Sequence, residues 1–225
     1  MKATLEPRKK VRLRWFTGQV NYTIKRSIVV TYNLRSVIQD VLSRKVTNYY
    51  LFDGETIVQR EIPASNVILL TGGLPFLWTK TQGSVAEKLA TADLIDPTFQ
   101  AEDRVVEIKR GEEKISLKDS PRPGWQIETK ERDDTITRKI SMKNELGKDA
   151  EVKLQVFEAG NIVFIDADPK PGRQDRPLHE WLLTVPKDEE RNVQLEFKVH
   201  LIETREIEKP KPVKLELKDR TEKMD

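Results

Sequence analysis

Apolar and polar residues alternate strictly near the start of the chain. In residues 10–15 (KVRLRW), Val11, Leu13 and Trp15 fall on one side and Lys10, Arg12 and Arg14 on the other. That period of two is the signature of a strand with one covered face. Val20, Tyr22 and Ile24 repeat it beyond a turn at Thr17-Gly18, and residues 28–32 (IVVTY) are β-branched and aromatic, again strand-like. Residues 33–42 break the pattern. Leu34, Val37, Ile38, Val41 and Leu42 follow the i, i+3, i+4 stripe of a helix, with Asn33 placed to cap it. Residues 49–58 read as a hairpin turning at Asp53-Gly54, and residues 66–71 (NVILLT) as a strand closed by Gly72-Gly73. Residues 84–95 (SVAEKLATADLI) are ambiguous between a short helix and an irregular strand, and their spacing leans to the helix.

The second half reads as strand after strand. Strands are predicted at 104–109, 113–117, 124–129, 135–143, 150–158, 161–166, 179–185 and 192–203, with turns at Gly111, Pro121–Gly124, Asp133-Asp134, Asn144–Gly147, Gly160 and Asp168–Gly172. Short strands at this spacing predict a sandwich. The expected architecture is mainly β, with two β-sandwich-like (immunoglobulin-like or jelly-roll) domains and one short helix in the N-terminal half. Residues 1–100 would form a basic β-rich domain and residues 101–206 an immunoglobulin-like sandwich, with a boundary near 98–103. Residues 207–225 form a third part. Lys209-Pro210-Lys211-Pro212 is a stiff spacer, and Val213, Leu215 and Leu217 alternate in a short strand that needs a sheet edge to pair with.

Residues 135–203 carry a further pattern, ITRKISMKNELGKDAEVKLQVFE and then HEWLLTVPKDEERNVQLEFKVH. A strand ends in Asn144, a Val-rich strand returns, and Trp181 and Leu183 lead into Pro186, Glu189 and a final long strand. This resembles the terminal sandwich module of the mucoidy-inhibitor-A-like family of unknown function, and residues 76–110 are loosely similar to the part preceding it. The resemblance implies a sandwich fold and a role in surface or protein contacts. It carries no catalytic residue across.

Composition narrows the chemistry. The 225 residues contain no Cys and two His, so disulfide scaffolds, thiolate zinc sites and cysteine nucleophiles are excluded, and histidine-rich metal chemistry with them. Charged residues make up 34% of the chain, a Lys-, Glu- and Arg-rich balance that suggests a hot habitat. The net charge of +3 hides an asymmetry, because residues 1–50 carry eleven basic side chains against Glu6 and Asp40, a net +9. No apolar run approaches the roughly 18 residues of a membrane-spanning helix. The basic N-terminus lacks the apolar core of a secretion signal, so a cytoplasmic or virion location is expected.

The candidate contact residues are Lys9, Lys10, Arg12 and Arg14, joined by Lys25 and Arg26, a cationic stripe suited to phosphates, anionic lipid heads or an acidic protein face. Asp166, Asp168 and Asp175 offer carboxylates without the spacing of a calcium loop. His179 and His200 have no Ser elbow beside them. Trp15, Trp78, Trp125 and Trp181 are expected to serve packing or subunit contact. There is no GxGxxG or GxxxxGK[ST] loop, so no catalytic residue, metal or cofactor is assigned. The expectation is a non-enzymatic structural or assembly protein, a homo-oligomer or the partner of another structural protein, as in a thermophile's virion or cell surface. The alternatives are a nucleic-acid-binding accessory protein using the basic strands and, ranked last, a polysaccharide hydrolase with paired carboxylates.

Overall fold

The computed structural model describes residues 21–53, 63–71, 73–85 and 88–210. These residues form two sheets and one short helix. The larger sheet runs in the order β13 (Arg173–Asp175), β14 (Leu178–Val185), β11 (Ala150–Glu158), β1 (Asn21–Tyr32), β3 (Thr47–Asp53), β6 (Lys88–Thr91), β5 (Leu74–Val85) and β4 (Asn66–Thr71), with β7 (Leu94–Ile95) also paired to β3. The smaller sheet runs β12 (Ile162–Asp168), β15 (Glu190–Glu208), β10 (Trp125–Asn144), β8 (Phe99–Lys109) and β2 (Val41–Arg44), with β9 (Lys114–Asp119) on β10. Every pairing is antiparallel except β1 with β11, which run parallel from Arg26↔Val152 to Tyr32↔Glu158.

Alternation decides which side chains meet between the sheets. Ile28, Val30 and Tyr32 of β1 and Val152, Leu154 and Val156 of β11 point inward from one sheet. Val193, Leu195, Phe197 and Val199 of β15 and Ile136, Ile140 and Met142 of β10 answer from the other. The rings of Tyr32 and Phe197 meet edge to face across the gap at 4.8 Å. In β12 the buried positions step from Ile162 and Phe164 to Ala167, because a bulge between Phe164 and Asp166 shifts the parity by one.

The mainly-β reading with one short helix matches these two sheets. The expected division near 98–103 does not separate two cores: buried residues 28–46 belong to the same apolar cluster as residues 136–199, and β1, from the first hundred residues, has β11 as its neighbour. A parallel pair needs a long connection, and here almost the whole intervening chain supplies it.

Three local expectations are corrected. The helix predicted over 33–42 is a single turn, α1 (Leu34–Val37), capped as expected by Asn33, whose Oδ1 accepts from the Arg35 and Ser36 amides. It stops there because Val41–Arg44 is drawn into β2 against β8, and Arg138 takes the carbonyls of Val37 and Gln39, each at 2.8 Å. Residues 84–85, 88–91 and 94–95 of the expected helix are strand: β6 pairs with both β3 and β5, so ladder bonds override a weak helical spacing. Asp133-Asp134 is not a turn. Both residues lie inside the 20-residue strand β10, whose ladder with β15 runs unbroken from Trp125↔Glu208 to Lys143↔Glu190.

Candidate functional site

Of the proposed contact residues, Lys9, Lys10, Arg12 and Arg14 lie outside the described residues, as do Val213, Leu215 and Leu217 and the predicted hairpin from Gly54 onward. Lys25 and Arg26 are consecutive on β1 and therefore face opposite ways. Lys25 is half-exposed near Glu151 at 3.9 Å. Arg26 turns inward, where it is 7% exposed, donates to Asp96 at 2.8 Å and covers the Phe99 ring. Burial alone would raise the Asp96 carboxyl. Hydrogen bonds from Thr98, Asn48 and Arg26 outweigh that and hold it below the ordinary carboxylate range. Arg26 thus belongs to the fold, and Lys25 is the one described member of the stripe that faces solvent.

The conspicuous titratable groups are engaged in the same way. Asp103 and Arg138 are fully buried, with Arg138 Nε donating to Asp103 Oδ1 at 2.7 Å. The other carboxylate oxygen accepts from the Tyr32 hydroxyl at 2.8 Å and from Arg44 Nε and Nη2 at 2.9 and 2.6 Å. Burial first, and the Asp103 charge second, push the Tyr32 phenol far above its usual value. This cluster ties α1, β2, β8 and β10 together. Of the acidic-loop residues, Asp166 pairs with Lys170 and Asp175 with Arg173. No group of three potential metal ligands occurs among the described residues.

The two histidines differ. His200 on β15 bonds Asp133 through Nδ1 at 2.7 Å, and Lys198 reaches the same carboxylate at 2.8 Å, which lowers the Asp133 pKa. His179 on β14 is buried, stacked on Phe164 at 4.0 Å, and neither ring nitrogen has a hydrogen-bond partner. Its Nε2 sits 3.7 Å from Glu158, whose carboxylate is taken by Arg176 and by the Phe164 amide. Burial lowers the His179 pKa, so the ring is neutral and apolar in character.

The features most open to a partner are places where a sheet runs past its opposing layer. Over residues 125–132 of β10 and 201–208 of β15, these strands and β9 continue as a three-stranded arm. All six residues of β9 are exposed, and among the described residues β9 pairs only with β10. Ile115 and Leu117 stand on one face of it among Lys130–Glu113 and Arg205–Glu128 ion pairs. A second overhang is the β4–β5 hairpin, which exposes Leu70, Leu74, Phe76 and Trp78. Sequence reasoning missed the arm because it broke β10 at Asp133-Asp134. The available signal was the matching density of charge in residues 128–134 and 203–208, which lie opposite each other in the ladder. A groove of about 520 Å³ between β2, β8 and β10 is lined by outward-facing residues such as Gln100, Glu102 and Arg104. Trp181 is buried with its indole N–H on the Pro169 carbonyl at 2.7 Å, as expected of a packing residue. Trp78 is 74% exposed.

Comparison of the chain with protein-family models, with characterised proteins and with solved structures gives no match. Asn144 occupies a joint of the fold. Asn144 Nδ2 donates to the carbonyls of Lys148, Val185 and Pro186, each at 3.0 Å, closing the β10–β11 turn onto the end of β14.

Proposed function

We propose that the protein is a non-enzymatic structural or assembly protein that makes protein–protein contacts, with further copies of itself or with a structural partner. One observation carries the reading. Among the described residues, the arm of β9, β10 and β15 extends as a single layer with no opposing sheet, and the outer edge of β9 has no strand partner. A β-layer of this kind is marginal in water unless something covers it. The tail leaves at the same place: the Lys209 amide donates to the Gly124 carbonyl and its ammonium reaches Asp119 at 2.6 Å. The strand predicted at Val213, Leu215 and Leu217 begins within a few residues of that tip. Added to the arm edge of a neighbour, it links copies by strand addition. The engagement of Asp103, Arg138, Asp133 and Glu158 in internal pairs supports a contact role over a chemical one. The kinship with the mucoidy-inhibitor-A-like module belongs to the same proposal. So does the hot habitat, which an ion-pair-laced arm suits.

The test is solution mass by light scattering, for the full chain and for a version ending at Lys209, at low and high salt. A defined oligomer that the truncation dissolves supports strand addition through the tail. A monomer under every condition overturns it.

A further inference from the structure

The β4–β5 hairpin is unlike the rest of the surface. From Asn66 to Thr79 the chain carries no charge. Cross-strand register places Ile68 opposite Trp78 and Leu70 opposite Pro75, with Gly73 in the turn at a φ of +83°. Leu74, Phe76 and Trp78 alternate onto one face of β5, and Leu74 and Trp78 are 73% and 74% exposed. The opposite face is apolar as well and half-buried, carrying Val67, Leu69 and Leu77. A sheet that docks on another protein buries one face and keeps the other polar. A hairpin that is apolar on both faces and stripped of charge is matched to a medium that surrounds it.

We infer that the tip of this hairpin inserts shallowly into the surface of an anionic lipid bilayer. The order of residues along β5 follows the polarity gradient of a leaflet. Leu74 leads at the turn, Phe76 follows, Trp78 stands four residues back, and exposed Lys80 two residues further on the same face. At about 3.4 Å per residue, Phe76 and Leu74 extend roughly 7 and 14 Å past Trp78 along the strand, so a hairpin tilted against the surface keeps both in the outer part of the leaflet. An indole at the interface and an ammonium at the phosphates are the anchors such a depth calls for. Among the described residues β4 ends its sheet, and backbone groups left there without a strand partner restrict the hairpin to the outermost part of the leaflet. One apolar anchor binds membranes weakly and needs an electrostatic second. Lys80, exposed Lys88 and the basic side chains of residues 1–50 other than the internally paired Arg26 and Arg44 supply it. The inference goes beyond the assembly reading and uses a different part of the molecule.

The experiment mixes the full chain with phosphatidylcholine vesicles, alone or with phosphatidylserine, and measures co-sedimentation and quenching of tryptophan emission by brominated lipid. Expected are salt-sensitive binding to the phosphatidylserine vesicles and quenching that is lost in Trp78→Phe. Leu70→Asp and Phe76→Asp should each weaken partitioning by on the order of tenfold or more. Leu182→Asp, at a residue 71% exposed on β14, should leave it unchanged. Because all of these side chains are exposed, urea midpoints should match wild type and separate lost binding from lost folding. Absence of wild-type binding overturns the inference, as does equal binding to both vesicle types or an equal loss in Leu182→Asp. A soluble oligomer that Phe76→Asp dissociates, with no vesicle binding, also overturns it and assigns the hairpin to contact between copies.

Discussion

Asp103→Asn is the sharpest probe of what holds the fold together. The carboxylate is fully buried and receives four donors: Tyr32, two nitrogens of Arg44, and Arg138 Nε. The amide keeps the volume but removes the charge, and one of its two polar ends is a donor facing donors. Arg44 can turn toward solvent, since its side chain is 17% exposed, but Arg138 is wholly enclosed and cannot. The cost is that of an uncompensated buried cation, about 3–5 kcal/mol. For a chain of this size, that lowers the melting temperature by roughly 6–20 °C. Urea unfolding followed by far-ultraviolet circular dichroism reads the free energy directly. Arg138→Met supplies the other arm of a double-mutant cycle, because it removes the stranded charge at the expense of the bonds to the Val37 and Gln39 carbonyls. The double variant should be less destabilised than the sum of the two singles by about 1–3 kcal/mol. A loss under about 1 kcal/mol in Asp103→Asn, or strict additivity in the cycle, refutes the reasoning.

Two further predictions concern other joints. A Cβ added at Gly111 meets the Asp133 carbonyl oxygen at 2.1 Å, so Gly111→Ala should cost on the order of 1–3 kcal/mol by urea unfolding. Gly147→Ala, with nothing within 4 Å, should be near neutral or slightly stabilising; equal effects would contradict this account. His179 is held neutral by burial, with its pKa below the unfolded value of 6.5. The unfolded chain therefore binds a proton that the folded one refuses, so this residue's contribution is intact above about pH 6.5 and falls as pH drops toward the folded pKa. The urea midpoint of wild type should fall more between pH 7.5 and 5.5 than that of His179→Phe, which keeps the stack on Phe164; parallel losses refute the assignment.

Much of the sandwich was legible because its strands obey one local rule. Residues 150–158 alternate so cleanly that the predicted and observed bounds of β11 coincide, and Asn33, Gly160 and Asn144 mark their boundaries through ordinary cap and turn chemistry. Failures came where a distant partner outweighed local spacing. Val41 and Leu42 fit a helical stripe, yet β8 claims them as a strand. Asp133 and Asp134 look like a turn, but Lys198 and His200 neutralise the first from β15. The second binds the Gly111 amide and Arg132, so the strand passes through both. Arg26 looked like a surface cation because its partner, Asp96, lies 70 residues away in sequence.

The contact surfaces were harder to read for a related reason. Whether an alternating strand is covered on its apolar face depends on how far the opposing sheet extends, and that length is set by ladders hundreds of atoms away. Leu154 and Phe76 both belong to apolar strand faces; the first is buried in the core shared with β15 and β10, the second meets only the Tyr50 ring of its own sheet among the described aromatic contacts and stays exposed. Uncovered apolar strand surface invites edge-to-edge aggregation, which proteins suppress with charge or with a covering partner. The arm carries the first solution in its Lys130–Glu113, Arg205–Glu128 and Lys209–Asp119 pairs. The hairpin has no charge between Asn66 and Thr79 with which to do the same, so the second solution is the one left to it. A charge-laced strand edge suits a neighbour's backbone, whereas an uncharged tip suits lipid. The two ends of the molecule are thus specialised for different media, and the vesicle and light-scattering experiments address them separately.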